Sequence, residues 1–299
     1  MNPLESSSFN WSRVAIGTVQ FGLSYGVANQ SGMVSAENAE KILKSALSHG
    51  ISTLDTAISY GASEEILGQI GIKSWQVISK LPRIPDGVED IAGHILQEVE
   101  SSLTRLNIQS LDGLLMHNPG QLLESSGHII YNTLCDIRRQ GLIKNIGISI
   151  YDPEDLNALL SNMDFNIVQA PLNIFDQRML NSGWINELNK RSIAFHARSI
   201  FLQGLLLMEN RPKFFNKWSN VFELWSRWLS EVSLTPLEGA LYYAISNPAI
   251  KKIILGLDSL EHFQQIAQAI AKVEKMYIHI PDFDVSDALL LNPAKWKIS

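Results

Sequence analysis

A single cysteine, Cys135, occurs in 299 residues, so no disulfide can form within the chain. A lone thiol suits a reducing compartment, and a cytoplasmic location is the expectation. Basic runs are missing as well. No stretch of five or more basic residues is present and the formal net charge is −6, which argues against nucleic acid as a partner. No apolar run reaches the roughly 20 residues that span a bilayer. The opening segment MNPLESSSFNW is polar, so neither a membrane partner nor a secretory leader is expected. The seven histidines are scattered, with no H-E-x-x-H and no Cys cluster, so no metal is expected. No G-x-G-x-x-G follows an apolar strand, and G-x-x-x-x-G-K-[ST] and G-x-S-x-G are absent. Rossmann, P-loop and serine-hydrolase readings therefore lack support.

What is present is apolar matter in short pieces. Apolar residues make up 45% and charged residues 18%, enough for one large core. Residues 13–18, 51–55, 75–80, 111–117, 142–149, 165–170, 192–199 and 251–256 read as strands. Helical stripes separate them. One runs through Ala39, Ile42, Leu43, Ala46 and Leu47, capped by Ser35 and stopped by Gly50; another through Val88, Ile91, Ile95, Val99, Leu103 and Leu106. Ser63 is read as the cap of the helix that begins with Glu64 and Glu65, acidic residues expected at a helix start.

This alternation predicts an α/β chain closed into a (β/α)8 TIM barrel. No linker interrupts it, so 1–299 reads as a single domain. Residues 205–234 form a helical insertion after strand seven, where Trp218, Phe222, Trp225 and Leu229 recur on one helical face. That helix either covers a ligand or packs on the barrel. The tail, 276–299, is apolar enough to fold back on the body.

Active sites of such barrels lie at the C-terminal ends of the strands. Asp55 ends the second strand, Lys80 the third and His117 the fourth. Alternation along a strand puts Ile51, Thr53 and Asp55 on one face, likewise Gln76, Ile78 and Lys80, and likewise Gly113, Leu115 and His117. If those faces point inward, the three polar residues converge at the mouth. Tyr60, in LDTAISYG (54–61), sits on the next loop. A phenol has an ordinary pKa of about 10, and a neighbouring ammonium favours its charged form. A carboxylate orients that ammonium, and a histidine can hydrogen-bond a reacting oxygen. The set makes a general acid for a carbonyl oxygen, or a base for an alcohol.

The ordered segments GISTLDTAISYGASEEILG, VISKLP, LDGLLMHNP, GLIKNIGIS, IVQAPLN, RSIFLQGLLL and AISNPAIKKIILGLDSLEHFQQI resemble the aldo-keto reductases across almost the whole chain. The resemblance implies an NAD(P)-dependent oxidoreductase that moves hydride between a nicotinamide and a small-molecule aldehyde or ketone. Tyr60 is then the general acid, Lys80 and Asp55 tune it, and His117 orients the carbonyl. Ser149 and Gln169 match positions that hold the carboxamide, and Thr18, after Gly17, lies beside the cofactor. Ser199, Phe201 and Gly204 match the loop along the diphosphate, and Gly256, Asp258, Ser259, His262 and Gln265 the clasp at the last helix.

The chain also departs from that pattern. Arg198 stands where an aromatic residue often stacks on the nicotinamide, and Ile150 follows Ser149 in place of an amide residue. Asp258 stands where Ser or Arg often meets a 2′-phosphate. The resemblance favours NADP(H); a carboxylate there suits a ribose hydroxyl, so NAD(H) stays open. Tyr25, Asn29 and Trp296 are expected to line the substrate pocket, and a sugar-like substrate is one candidate. The alternatives are a cofactor-binding regulatory subunit with little turnover and a barrel lyase or hydrolase using the same acid. No heptad seam is visible, and the oligomeric state stays open.

Overall fold

The computed structural model describes residues 8–29, 32–283 and 285–297. Eight parallel strands close in sequence order: β1 (Val14–Gly17), β2 (Thr53–Asp55), β3 (Gln76–Leu81), β4 (Gly113–Met116), β5 (Ile146–Ser149), β6 (Ile167–Pro171), β7 (Ala194–Arg198) and β8 (Lys252–Gly256). Between β1 and β2 run the short α1 (Val19–Gly22) and α2 (Ala36–Ser48). Next come α3 (Ser63–Ile70), α4 (Ile91–Leu106), α5 (Gly127–Arg139) and α6 (Asp155–Asn162), one after each of β2 to β5. The short α7 (Arg178–Asn181) and α8 (Trp184–Lys190) precede β7, and α9 (Ser219–Glu231) and α10 (Pro236–Ile245) precede β8. Last are α11 (Leu260–Val273) and α12 (Ala288–Leu291). The closed (β/α)8 barrel is thus the fold that the strand–helix rhythm predicts.

Register decides which side chains meet. Thr53 pairs with Gln76, Asp55 with Ile78, Lys80 with Leu115 and Gln169 with His196. Ile78, Leu115 and Ile167 form a small core of their own with Ala194 packed on it, which is the plug of the barrel interior. Lys80, Gln169 and His196 stand two residues further along three of the same strands, so they also face inward, nearer the mouth. The outward residues, such as Val77, Leu114, Met116 and Val168, join the much larger core beneath the helices.

Two local expectations change. Ser63 does not cap α3: it lies inside the helix, and its hydroxyl donates to the Thr18 carbonyl at 3.0 Å instead. His117 lies one residue beyond β4, held by its backbone N–H on the Leu81 carbonyl at 2.9 Å.

Within the insertion, 3-10 turns at Leu202–Leu207 and Lys213–Trp218 lead into α9. Phe222, Trp225, Trp228 and Leu229 form its buried face. Trp225 stacks on Trp228 at 5.4 Å and donates its indole N–H to the Leu206 carbonyl. Phe283 of the tail packs on Phe175, Trp225 and Trp228. The aromatic face of α9 is therefore spent between barrel and tail, and does not cover the mouth.

Candidate active site

At the mouth, Lys80 Nζ donates to Asp55 Oδ1 at 2.5 Å and to the Thr56 carbonyl at 2.9 Å. The second carboxylate oxygen accepts from Gln169 Nε2 at 2.7 Å, and Ser149 Oγ donates to Gln169 Oε1 at 3.3 Å. Four strands thus feed one hydrogen-bonded chain. Burial alone lowers the pKa of a lysine; here Asp55 and Tyr60 more than offset it, and Lys80 is held above its ordinary value. Lys80 stays an ammonium.

Tyr60 reaches this cluster because two glycines let its loop lie flat on α1. A Cβ on Gly22 would stand 1.8 Å from the Tyr60 carbonyl oxygen, and one on Gly61 would stand 2.3 Å from the Gly22 oxygen. Gly61 also has φ of +53°, a conformation that side chains resist. Ser63 pins the same loop through Thr18 Oγ1 and Thr56 Oγ1. The result is a phenol ring whose centroid is 5.1 Å from Lys80 Nζ and 5.9 Å from the His117 ring. Burial, then the charges of Lys80 and Arg198, push His117 down to about 4, so it is a neutral imidazole at neutral pH.

The quartet opens into a cleft with a cavity volume of about 590 Å³, within the roughly 300–1,000 Å³ of small-molecule sites. Gly17, Thr18, Ser149 and Gln169 line its floor. Arg198, Ser199, Phe201 and Gly204 line one side and Gly256, Asp258, His262 and Gln265 the far end. Tyr25 and Asn29 line the wall from the β1 loop, which Gln203 clasps: it donates to Tyr25 Oη at 2.9 Å and accepts from the Val27 N–H.

Two expected residues fall outside the lining. Ser259 is spent as the N-cap of α11, accepting from His262 N. Trp296 packs edge-on against Phe215 at 4.9 Å and donates to the Leu290 carbonyl, because the tail returns to the insertion and not to the mouth.

Other lining residues were not singled out by the sequence. Gln20 and Tyr151 face the cleft, and Gln203 closes one wall. Their signal was present only as nearness to Thr18, Ser149 and Phe201. Glu64 is a structural residue: buried, it accepts from Ser79, Ser102 and Arg105 and ties β3 and α4 to the helix that follows Tyr60. Among the described residues no His, Cys, Asp and Glu cluster suits a metal, and no helix is long and apolar enough to cross a membrane.

Compared with known proteins, residues 13–284 match the Aldo/keto reductase family. The chain belongs to that family. It is 24% identical over 290 residues, 89% of each chain, to an uncharacterized oxidoreductase, YqkF, of Bacillus subtilis. It is 23% identical over 298 residues, 92% of this chain and 91% of the other, to the L-galactose dehydrogenase of Arabidopsis thaliana. In structure it resembles the aldo-keto reductase AKR11C1 from Bacillus halodurans, holo form, with a TM-score of 0.72 and 19% identity over 89% of this chain and 88% of that one.

As an aldo/keto reductase, the chain is an NAD(P)-dependent oxidoreductase of small-molecule carbonyl compounds. Its cleft fits a nicotinamide dinucleotide. Among the described residues, Asp258 Oδ1 and Gln20 Oε1 are buried polar atoms with no hydrogen-bond partner. A Cβ on Gly256 would come within 2.4 Å of Gln20 Nε2, so that glycine leaves room for the Gln20 side chain at the cleft. Ser199, Leu202, Gln203 and Gly204 adopt positive φ after β7, and α11 starts after β8; the loops after strands seven and eight, with a helix N-terminus, are where such barrels commonly bind phosphate.

Proposed function

We propose that this aldo/keto reductase reduces the carbonyl of a small aldehyde or ketone with Tyr60 as the proton donor. The observation that carries the reading is the meeting of Asp55, Tyr60, Lys80 and His117 at one mouth of the barrel. Ser149 and Gln169 would hold the carboxamide end of the dinucleotide, the Ser199–Gly204 loop and the start of α11 its phosphates, and Asp258 and Gln265 the adenosine end. A reduced nicotinamide bound there supplies the hydride.

Tyr60 Oη gives its proton to the carbonyl oxygen as negative charge builds there. Lys80 stabilises the charge left on the phenol. Its ammonium has three donors, two of which go to Asp55 and Thr56, so one is free to face the reacting oxygens. The neutral imidazole of His117 donates an N–H to the carbonyl and fixes its orientation without adding a second cation. Asp55 and Gln169 keep the ammonium in place. All of these dipoles are in position before the reaction, which is how preorganised sites lower barriers. In the reverse direction the same phenol removes the alcohol proton.

The substrate is read as sugar-like. Hydroxyl-bearing and amide side chains, Tyr25, Asn29, Tyr151 and Gln203, surround the approach, and one relative is named for L-galactose. Family membership favours NADP(H), while Asp258 moves the preference toward NAD(H), since a second negative charge repels a 2′-phosphate.

The test is Tyr60→Phe. Loss of a general acid removes about 10²–10⁴-fold in rate, so kcat should fall by at least the lower figure while dinucleotide affinity is kept. A variant that turns over a good carbonyl substrate near the wild-type rate rejects the assignment.

A further inference from the structure

Arg198 is a cation without an anion. Its guanidinium donates to the Ile150 carbonyl at 3.0 Å and to Ser199 Oγ at 3.3 Å, and lies 4.2 Å from the centroid of the Tyr151 ring. Both acceptors are neutral. Among the described residues no carboxylate forms an ion pair with it, whereas Arg105 pairs with Glu64 and Arg178 with Asp176, at 2.7 and 2.8 Å; the half-buried Arg13, Arg138 and Arg211 also lack a carboxylate, but none of the three lines the cleft. A guanidinium carries five N–H donors, so several remain unspent.

The rest of the mouth does not balance this charge. Asp55 is taken by Lys80 and Gln169. His117 is neutral. Asp258 lies at the far end of the cleft, just before α11. The approach to Tyr60 therefore carries one net positive charge, fixed by stacking on Tyr151 and aimed by two hydrogen bonds. Arg198 ends β7 on the same inward face as His196, and its field is felt at His117, Lys80 and Tyr25. A planar, always-charged fork in a partly dry cleft is the arrangement that recognises carboxylate or phosphate.

We propose that Arg198 is a specificity residue that binds an anionic group, carboxylate or phosphate, on the carbonyl substrate, so that the reaction favours acidic aldehydes or ketones over neutral ones. This rests on the reductase reading above and narrows its substrate class. The same chemistry could be offered by the dinucleotide's own phosphates, and the experiment separates the two sources.

Two matched pairs are compared as substrates: 4-carboxybenzaldehyde with 4-carbamoylbenzaldehyde, and D-glucuronate with D-glucose. Wild type is expected to favour the acidic member by about tenfold in kcat/KM, mostly through KM, as a charge-assisted pair gives. Arg198→Met should bring each pair to within about twofold, and Arg198→Lys, which keeps charge but loses the planar fork, should retain about threefold. Calorimetry of benzoate against benzamide reads the same selectivity without turnover and should show it only when residue 198 is cationic. Equal efficiency within both pairs in wild type, or a preference that survives Arg198→Met, overturns the proposal. So does a loss of dinucleotide affinity in Arg198→Met, read by tryptophan fluorescence, with substrate preference intact, because the guanidinium then serves the cofactor. Turnover of neutral carbonyls with no preference removes this inference and leaves the reductase reading standing. Benzoate selectivity without any carbonyl turnover does the reverse.

Discussion

Lys80 and Asp55 form an ion pair at 2.5 Å with side chains only 1% and 6% exposed. A buried pair is stabilising only while both partners are present: removing one leaves an unpaired charge and costs about 3–5 kcal/mol. Asp55→Asn should therefore lower stability by about that amount and sharply reduce turnover. The pH dependence has a definite sign. In wild type the raised Lys80 pKa contributes stability at neutral pH that is lost only as pH climbs past about 10.4. In the variant, burial is no longer offset, the lysine pKa falls, and stability rises toward high pH. The gap between the two proteins, read by urea denaturation, should narrow from pH 7 to pH 10.

Contact of Gly22 with Gly61 positions the catalytic loop. Gly22→Ala puts a methyl group on the Tyr60 carbonyl and must displace the loop. A shift of about 1 Å can lose about 100-fold in rate. Gly50→Ala is the control: its φ is +84°, but nothing lies within 4 Å of an added Cβ. It should lose about 1–2 kcal/mol of stability and keep its turnover. Equal activity in the two variants would show that strain alone, and not placement of Tyr60, is at stake.

Two buried histidines predict acid sensitivity. His117 is pushed down to about 4 and His196 to about 3, in each case first by burial and then by nearby lysine charge. The unfolded chain takes up protons near 6.5, before the folded one does. Stability should therefore be full above that pH and fall by a few kcal/mol as pH drops from 6.5 toward 4. His196→Gln, which does not touch the reacting groups, should flatten part of that limb in denaturation midpoints. An unchanged slope would assign the acid limb to carboxylates.

Asp258 should govern cofactor choice. Burial holds its carboxyl above the usual range, and among the described residues Oδ1 has no hydrogen-bond partner, so the residue is stressed without a ligand. Asp258→Ala is expected to raise the NADPH-to-NADH ratio of kcat/KM by about tenfold, the size of one charge-assisted contact. A ratio that does not move excludes the carboxylate from cofactor selection.

Much of this site was written locally. Period-two and period-3.6 patterns set eight strands and their helices, because a buried face must repeat with the geometry of its element. Alternation then assigned Asp55 and Lys80 to inward faces of β2 and β3. Other features need partners distant in sequence. Glu64 reads as an ordinary acid at a helix start, yet it is buried because Arg105, Ser79 and Ser102 arrive around it. Gly22 and Gly61 carry no signal singly; their meaning is the distance between two loops. Trp296 looked like a pocket residue until Phe215 claimed its ring.

By itself, then, the sequence determined the barrel, its strand order and the identity of the polar groups at its mouth, since those follow from side-chain periodicity and chain order. A carboxylate beside the Lys80 ammonium was an expectation of the sequence; only the tertiary structure decided that Arg198 is left without one. Among the described residues Lys80 has its counter-ion and Arg198 does not. That difference depends on how loops from β1, β5 and β7 pack together, and electrostatic pairing falls off over a few ångströms, a distance no linear pattern encodes.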